Sequence, residues 1–187
     1  MPVLARHRFT TADYYRMAET GVLRPEQRVE LLDGEIIDMS PIGPSHASVV
    51  KRLNHHFGQM AKGRWLLAVQ DPAHIDEHSE PQPDLMLVRV VPDFNASKHP
   101  EPSDVYLLIE VADTSLSYDR ERKLPIYGRS GIPEVWTVNL DEPSVEVYRE
   151  PHLTGYGSTT ILQAGAKVSP LRFLDAVLDV AEPLRQL

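Results

Sequence analysis

The runs PDLMLV (residues 83–88) and VYLLIEV (residues 105–111), followed by DRERKLPIY (residues 119–127), decide how this chain folds. Both runs are almost continuously apolar, the pattern of a strand covered on both faces. Each carries a carboxylate at its border: Asp84 opens a strand predicted over 85–91, and Glu110 lies near the end of one predicted over 105–112. If these strands pair antiparallel, the start of the first lies beside the end of the second and the two carboxylates meet. A buried Asp and Glu held together repel unless one is protonated or a cation bridges them, and oxygen ligands suit a hard divalent ion such as Mg²⁺. Lys123 adds a positive charge nearby.

Working outward, Thr10 or Thr11 caps a helix over 12–19 that Gly21 stops. RVELLDGEIIDM (residues 28–39) holds Asp33-Gly34 between two short apolar segments, the strongest local hairpin signal. Ser45 then caps a helix with Val49, Val50, Leu53, Phe57 and Met60 at helical spacing, ended by Gly63. Residues 65–69 read as a strand, and the polar, proline-rich DPAHIDEHSEPQP as a loop leading to Asp84. Beyond it the pattern is loop (92–104), strand (105–112), helix (about 118–130) and strands over 134–140, 145–148 and 159–163. Residues 174–184 read as a terminal helix interrupted by Pro183. A strand, a crossover helix and another strand imply a parallel pair, so the central sheet is mixed: antiparallel around Asp84 and Glu110, parallel across the Lys123 helix. No repeat, low-complexity tract or linker divides residues 1–187, which read as one domain with its core over about 9–181.

Composition narrows the chemistry. Of 187 residues, 42% are hydrophobic and 25% charged, an ordinary globular mixture. Cysteine is absent, which excludes disulfides, thiolate zinc sites and cysteine nucleophiles and fits a reducing cytoplasm. MPVLARHRFTT lacks the apolar core of a signal peptide, and no run reaches the ~20 apolar residues of a membrane helix, so a soluble cytoplasmic protein without membrane contact is expected. A net charge of −8 argues against a uniformly basic nucleic-acid surface, although an acidic metal site contributes negative charge of its own. No G-x-S-x-G elbow, GxxxxGK[ST] loop or dinucleotide fingerprint is present, which disfavours a serine hydrolase, a P-loop enzyme and a dehydrogenase.

Asp84, Glu110 and Lys123 together resemble the PD-(D/E)XK restriction-endonuclease-like superfamily, in which Pro-Asp opens one strand and Glu-x-Lys ends the next. Here Ala112 stands where that lysine belongs, and Lys123 on the following helix is the residue that fits a relocated lysine. The ordered course VELLDGEIIDMSP, a helix after His46, PDL, LLIEVADTS, YDRERK and GIPEVW resembles the bacterial Uma endonuclease family over roughly residues 9–181. Asp113 replaces a more usual serine, and Pro125 interrupts the Lys123 helix. The resemblance implies an α/β fold with a restriction-endonuclease-like mixed β-sheet flanked by helices and preceded by an N-terminal hairpin. It also implies a homodimeric, metal-dependent endonuclease acting on DNA. Asp84, Glu110 and the Val111 carbonyl would hold Mg²⁺ or Mn²⁺, Lys123 would orient the attacking water, and Glu30 matches a further acidic position.

Competing readings attach to several residues. Asp119 and Lys123 also read as an ordinary i, i+4 surface pair, and Glu30 as an exposed strand residue. His46 is expected at a helix N-terminus, as a surface cap or near a scissile phosphate. His74 and His78 share metal-like spacing but fall in a loop, where no ligand role is expected. His55 and His56 are expected on the solvated side of their helix. Arg120, Arg122, Lys123 and Arg129 form a basic cluster that either meets phosphates or lies on a solvated helix face. The alternative function is a nuclease-fold module that binds nucleic acid or protein without cleaving.

Overall fold

A computed structural model of the chain describes residues 6–185. Helix α1 (Thr11–Glu19) starts on a capping box in which the Thr10 hydroxyl accepts from the Asp13 N–H while the Asp13 carboxylate accepts from the Thr10 N–H. Strands β1 (Val29–Leu32) and β2 (Glu35–Asp38) form the expected hairpin. Its turn residues Asp33 and Gly34 have φ of 52° and 78°, the two left-handed positions of a type I′ turn. Helix α2 (Pro44–Ala61) follows, ending on left-handed Lys62.

A six-stranded sheet in the order β3-β4-β5-β6-β7-β8 forms the centre. Its strands are β3 (Leu66–Val69), β4 (Leu85–Val88), β5 (Val105–Ala112), β6 (Glu134–Asn139), β7 (Ser144–His152) and β8 (Gly155–Gln163). Only β5 and β6 run parallel, and every other neighbouring pair is antiparallel. Helix α3 makes the crossover between them in three parts: an α-turn Leu116–Tyr118, a π-turn Asp119–Lys123 and an α-segment Leu124–Arg129.

Each face of the sheet has its own apolar layer. Val49, Leu53 and Phe57 of α2 cover Leu85, Leu107, Ile109 and Trp136 on one face. Leu124, Ile126 and Tyr127 of α3, with Leu32 of the hairpin, cover Met86, Leu108 and Val135 on the other. Strand alternation therefore assigns Asp84 and Glu110 to the α3 face.

Four expectations are corrected. β4 ends at Val88 rather than 91: its register slips between Leu87 and Val88, Arg89 bonds back to Asp104, and the 3₁₀ turn Pro102–Asp104 offers no further ladder. β7 and β8 are each longer than read and form one hairpin. Residues 174–184 make no helix; β10 (Leu178–Asp179) pairs instead with β9 (Lys167–Val168). Ala176, Leu178 and Val180 point inward while Val177 is exposed, a period of two. His56 is buried, with its ring edge-on to Phe57 and Nδ1 3.3 Å from Glu182 Oε2, while His55 is exposed.

Candidate metal-binding cleft

The β4–β5 register sets the two carboxylates together. Leu85 pairs with Ile109, so one step outward Asp84 stands opposite Glu110. The row continues across the sheet, because Glu110 pairs with Thr137 and Thr137 with Glu146. Four polar side chains thus cross this face in one row, all buried. Asp84 Oδ2 accepts from the Val111 N–H at 2.9 Å and lies 3.0 Å from His46 Nε2, while Oδ1 accepts from Gln70 at 3.2 Å. Gln70 holds a left-handed φ of 57°, uncommon for a side chain other than glycine, and turns its amide onto that carboxylate.

Lys123 reaches the row from α3. Its Nζ lies 3.3 Å from Glu110 Oε1 and 3.2 Å from Glu30 Oε2, and all three side chains are under 10% exposed. Glu30 also accepts from the Gln82 N–H at 3.1 Å, which ties the hairpin to the loop before β4. The Tyr127 hydroxyl donates to Glu110 Oε1 at 2.7 Å, whereas Glu110 Oε2 has no hydrogen-bond partner among the described residues. Pro125 is compatible with this helix because the preceding turn is wide. In an α-helix its ring would press on the carbonyl four residues back; in the π-turn the Leu124 N–H bonds instead to the Asp119 carbonyl.

Electrostatics follow from burial. Removal from water pushes the Glu110 carboxyl up to about 8; Lys123 opposes the shift, and Asp119 and Asp84 add to it. Burial pulls Lys123 down, but the charges of Glu110, Glu30 and Asp119 outweigh it and hold the ammonium above its ordinary value. His46 is likewise depressed by burial and raised by its bond to Asp84 and the charges of Asp84 and Asp113, with a net rise that nearby Arg28 lessens. Glu30, Glu110 and Asp119 therefore act on one ammonium, with Asp84 opposite Glu110, in a cleft of about 380 Å³. That surplus of hard oxygen donors suits an added divalent cation. No three His, Cys, Asp or Glu side chains form a ready-made metal cage among the described residues.

Gln70 and Tyr127 were not expected from the sequence, and Asp119 was expected only as a surface partner of Lys123. Asp119 is buried and accepts from the Ser115 hydroxyl at 2.8 Å, and it makes no ion pair with Lys123. Its signal was available, since Asp119, Lys123 and Tyr127 recur at intervals of four on one helix face. The basic cluster is corrected. Arg120 pairs with Glu146, Arg122 with Glu35, and Arg129 with Asp33, so these arginines clamp α3 to β7 and to the hairpin. His74 and His78 lie in the loop before β4, bonded to Glu80 and to the Phe9 carbonyl.

The fold is of the mixed α/β class, a six-stranded mixed sheet flanked by three helices. A solved structure described as a "putative nuclease belonging to DUF820" from Anabaena variabilis superposes with a TM-score of 0.71, over 94% of this chain and 97% of that one, at 14% identity. The Uma2 family, described as "Putative restriction endonuclease", matches residues 11–181, and the chain belongs to that family. No curated protein matches it. No helix among the described residues is long and apolar enough to cross a membrane.

Proposed function

We propose that this chain is a cytoplasmic, single-domain, divalent-metal-dependent endonuclease that hydrolyses phosphodiester bonds of DNA. The observation that carries this reading is the buried constellation of Glu110, Lys123 and Glu30 beside Asp84 in one open cleft. Asp84, Glu110 and the Val111 carbonyl would hold Mg²⁺ or Mn²⁺, which when bound supplies Lewis-acid polarisation of a phosphoryl oxygen and a more acidic water. Lys123 stays protonated among its carboxylates, so it serves as a fixed cation that donates to the attacking water and opposes the charge growing on the phosphate. His46 and the Val111 N–H hold Asp84 in place. Glu30 anchors the ammonium from the hairpin side.

The test is nicking of supercoiled plasmid in Mg²⁺ or Mn²⁺, with wild type compared to Glu110→Gln and Lys123→Ala. Metal-dependent nicking by wild type, lost in both variants, supports the reading; wild type inert in both metals defeats it. A non-cleaving nuclease-fold module is the second reading. It is favoured by Ala112 at the strand position of the usual lysine. Duplex binding without metal-dependent cleavage would select it.

Cutting both strands of a duplex calls for two sites, and we extend the proposal to a homodimer. Support comes from β8, a nine-residue edge strand, GYGSTTILQ, with no charge and no proline. Edge strands are ordinarily blunted by those devices, and one left open can pair with a second copy.

A further inference from the structure

The cleft that must receive an anionic substrate is lined by six carboxylates, Glu30, Asp38, Asp84, Glu110, Asp113 and Asp119. Its basic side chains are Arg28, His46 and Lys123. Two of these already have partners: Lys123 lies against Glu30 and Glu110, and His46 against Asp84. The Arg28 guanidinium makes no ion pair and no hydrogen bond with any described residue; its backbone carbonyl alone is engaged, accepting from the Met39 N–H. This is unusual among the arginines near the cleft, since Arg120, Arg122 and Arg129 are each paired with a carboxylate.

Position explains how Arg28 escapes a partner. It stands two residues before Glu30 at the start of the hairpin, so alternation turns both side chains to the same face. Glu30 is buried against Lys123, while Arg28 is half-buried, one step nearer the mouth. A guanidinium there presents a planar fork of N–H donors whose geometry matches two phosphate oxygens, which a lysine ammonium does not reproduce.

We propose that Arg28 takes a backbone phosphate of the substrate at the cleft mouth, next to the bond to be cut. The assignment rests on the nuclease reading. Arg28 supplies the counter-charge that the clamped arginines of α3 cannot, and it holds the strand over Asp84 and Glu110 while leaving the metal ligands untouched.

The experiment measures binding of a fluorescein-labelled duplex by anisotropy in Ca²⁺ across a KCl series, for wild type, Arg28→Gln and Arg28→Lys. Arg28→Gln is expected to weaken binding by ~10-fold or more, the scale of a lost charge-assisted contact. It should also reduce the slope of log K against log salt by ~0.9, one phosphate fewer. Arg28→Lys is expected to restore the slope and only part of the affinity. Calorimetric Mn²⁺ affinity without DNA should not fall in either variant, and in nicking assays the loss should appear in KM more than in kcat. Wild-type affinity and slope in Arg28→Gln would overturn the proposal while leaving the nuclease reading intact. So would a fall in Mn²⁺ affinity or thermal stability in both variants, which would make Arg28 a packing residue. Wild type binding no duplex at any salt would remove the nuclease reading and the proposal together.

Discussion

Lys123 Nζ lies 3.3 Å from Glu110 Oε1, although the two residues are thirteen positions apart and belong to different elements. A lysine two residues after the glutamate would share its face of β5, but that position is Ala112. Helix α3 delivers the ammonium from above the sheet instead, through a π-turn that keeps Asp119 and Lys123 both buried. The ammonium thus meets Glu110 with the lysine carried by another element.

Truncation of Lys123 should reveal both halves of that relationship. Lys123→Ala leaves the buried Glu30 carboxylate without its counter-charge, a loss on the order of 3–5 kcal/mol. Denaturant unfolding in EDTA is expected to show this loss, and added Mn²⁺ should recover part of it, because a cation can replace the missing ammonium. Nicking should drop by ~10²-fold or more in the same variant. Wild-type stability in EDTA would refute the ion-pair account, and no recovery with Mn²⁺ would refute the cation site.

Glu110 makes the metal-free protein sensitive to pH. Its carboxyl titrates near 4.5 when unfolded and at about 8 when folded, so between those values the folded state holds the extra proton. Stability in EDTA should therefore fall as pH rises through that window, and the slope should flatten in Glu110→Gln. A metal held by Glu110 would compete with the same proton, so affinity should climb with pH up to about 8. Calorimetry in two buffers of different ionisation enthalpy should detect proton release at pH 7. A pH-independent Mn²⁺ affinity over this range would separate Glu110 from the metal.

The legible parts of this structure share a cause. Asp33-Gly34 and the apolar runs around Asp84 and Glu110 are local signals, and the antiparallel register of β4 and β5 follows from them once the strands pair. Helix α2 is equally readable from its stripe, although it starts at Pro44 with Gly43, not Ser45, as its N-cap. What escaped depends on partners far along the chain. Arg120, Arg122 and Arg129 looked like a basic patch because their carboxylates come from residues 146, 35 and 33. His56 looked solvated until Glu182 approached it. The π-turn was invisible because Pro125 signals an interrupted α-helix, and nothing local distinguishes interruption from widening. Residues 174–184 offered two periods at once, and contact with β9 selected the shorter.

The placement of α3 depends on one close approach. A Cβ built on Gly128 would lie 2.1 Å from the Gly155 carbonyl oxygen, a backbone atom that no rotamer change can move aside. Gly128→Ala is expected to destabilise the protein by about 1–3 kcal/mol, the range for forced overpacking. Because α3 also carries Lys123, nicking should weaken more than Mn²⁺ binding does. An alanine variant with unchanged unfolding would mean that α3 and β8 separate at little cost.

The free edge of β8 gives the last prediction. Full antiparallel overlap of Gly155–Gln163 with a second copy is centred on Thr159, so this residue would face its own symmetry mate. The chain carries a net charge of −8, which opposes association over most of its surface, whereas β8 carries no charge at all. Light scattering of wild type at micromolar concentration should therefore give the mass of a dimer, with slowed hydrogen exchange in the β8 amides relative to dilute samples. Thr159→Lys sets two ammonium groups against each other across the two-fold axis, and directly opposed like charges destabilise a strand pair. Thr159 is exposed, so the substitution should leave the monomer's melting temperature unchanged while converting the dimer to monomer. Wild type that scatters as a monomer would remove the dimer, and a dimer that persists in Thr159→Lys would move its interface away from β8.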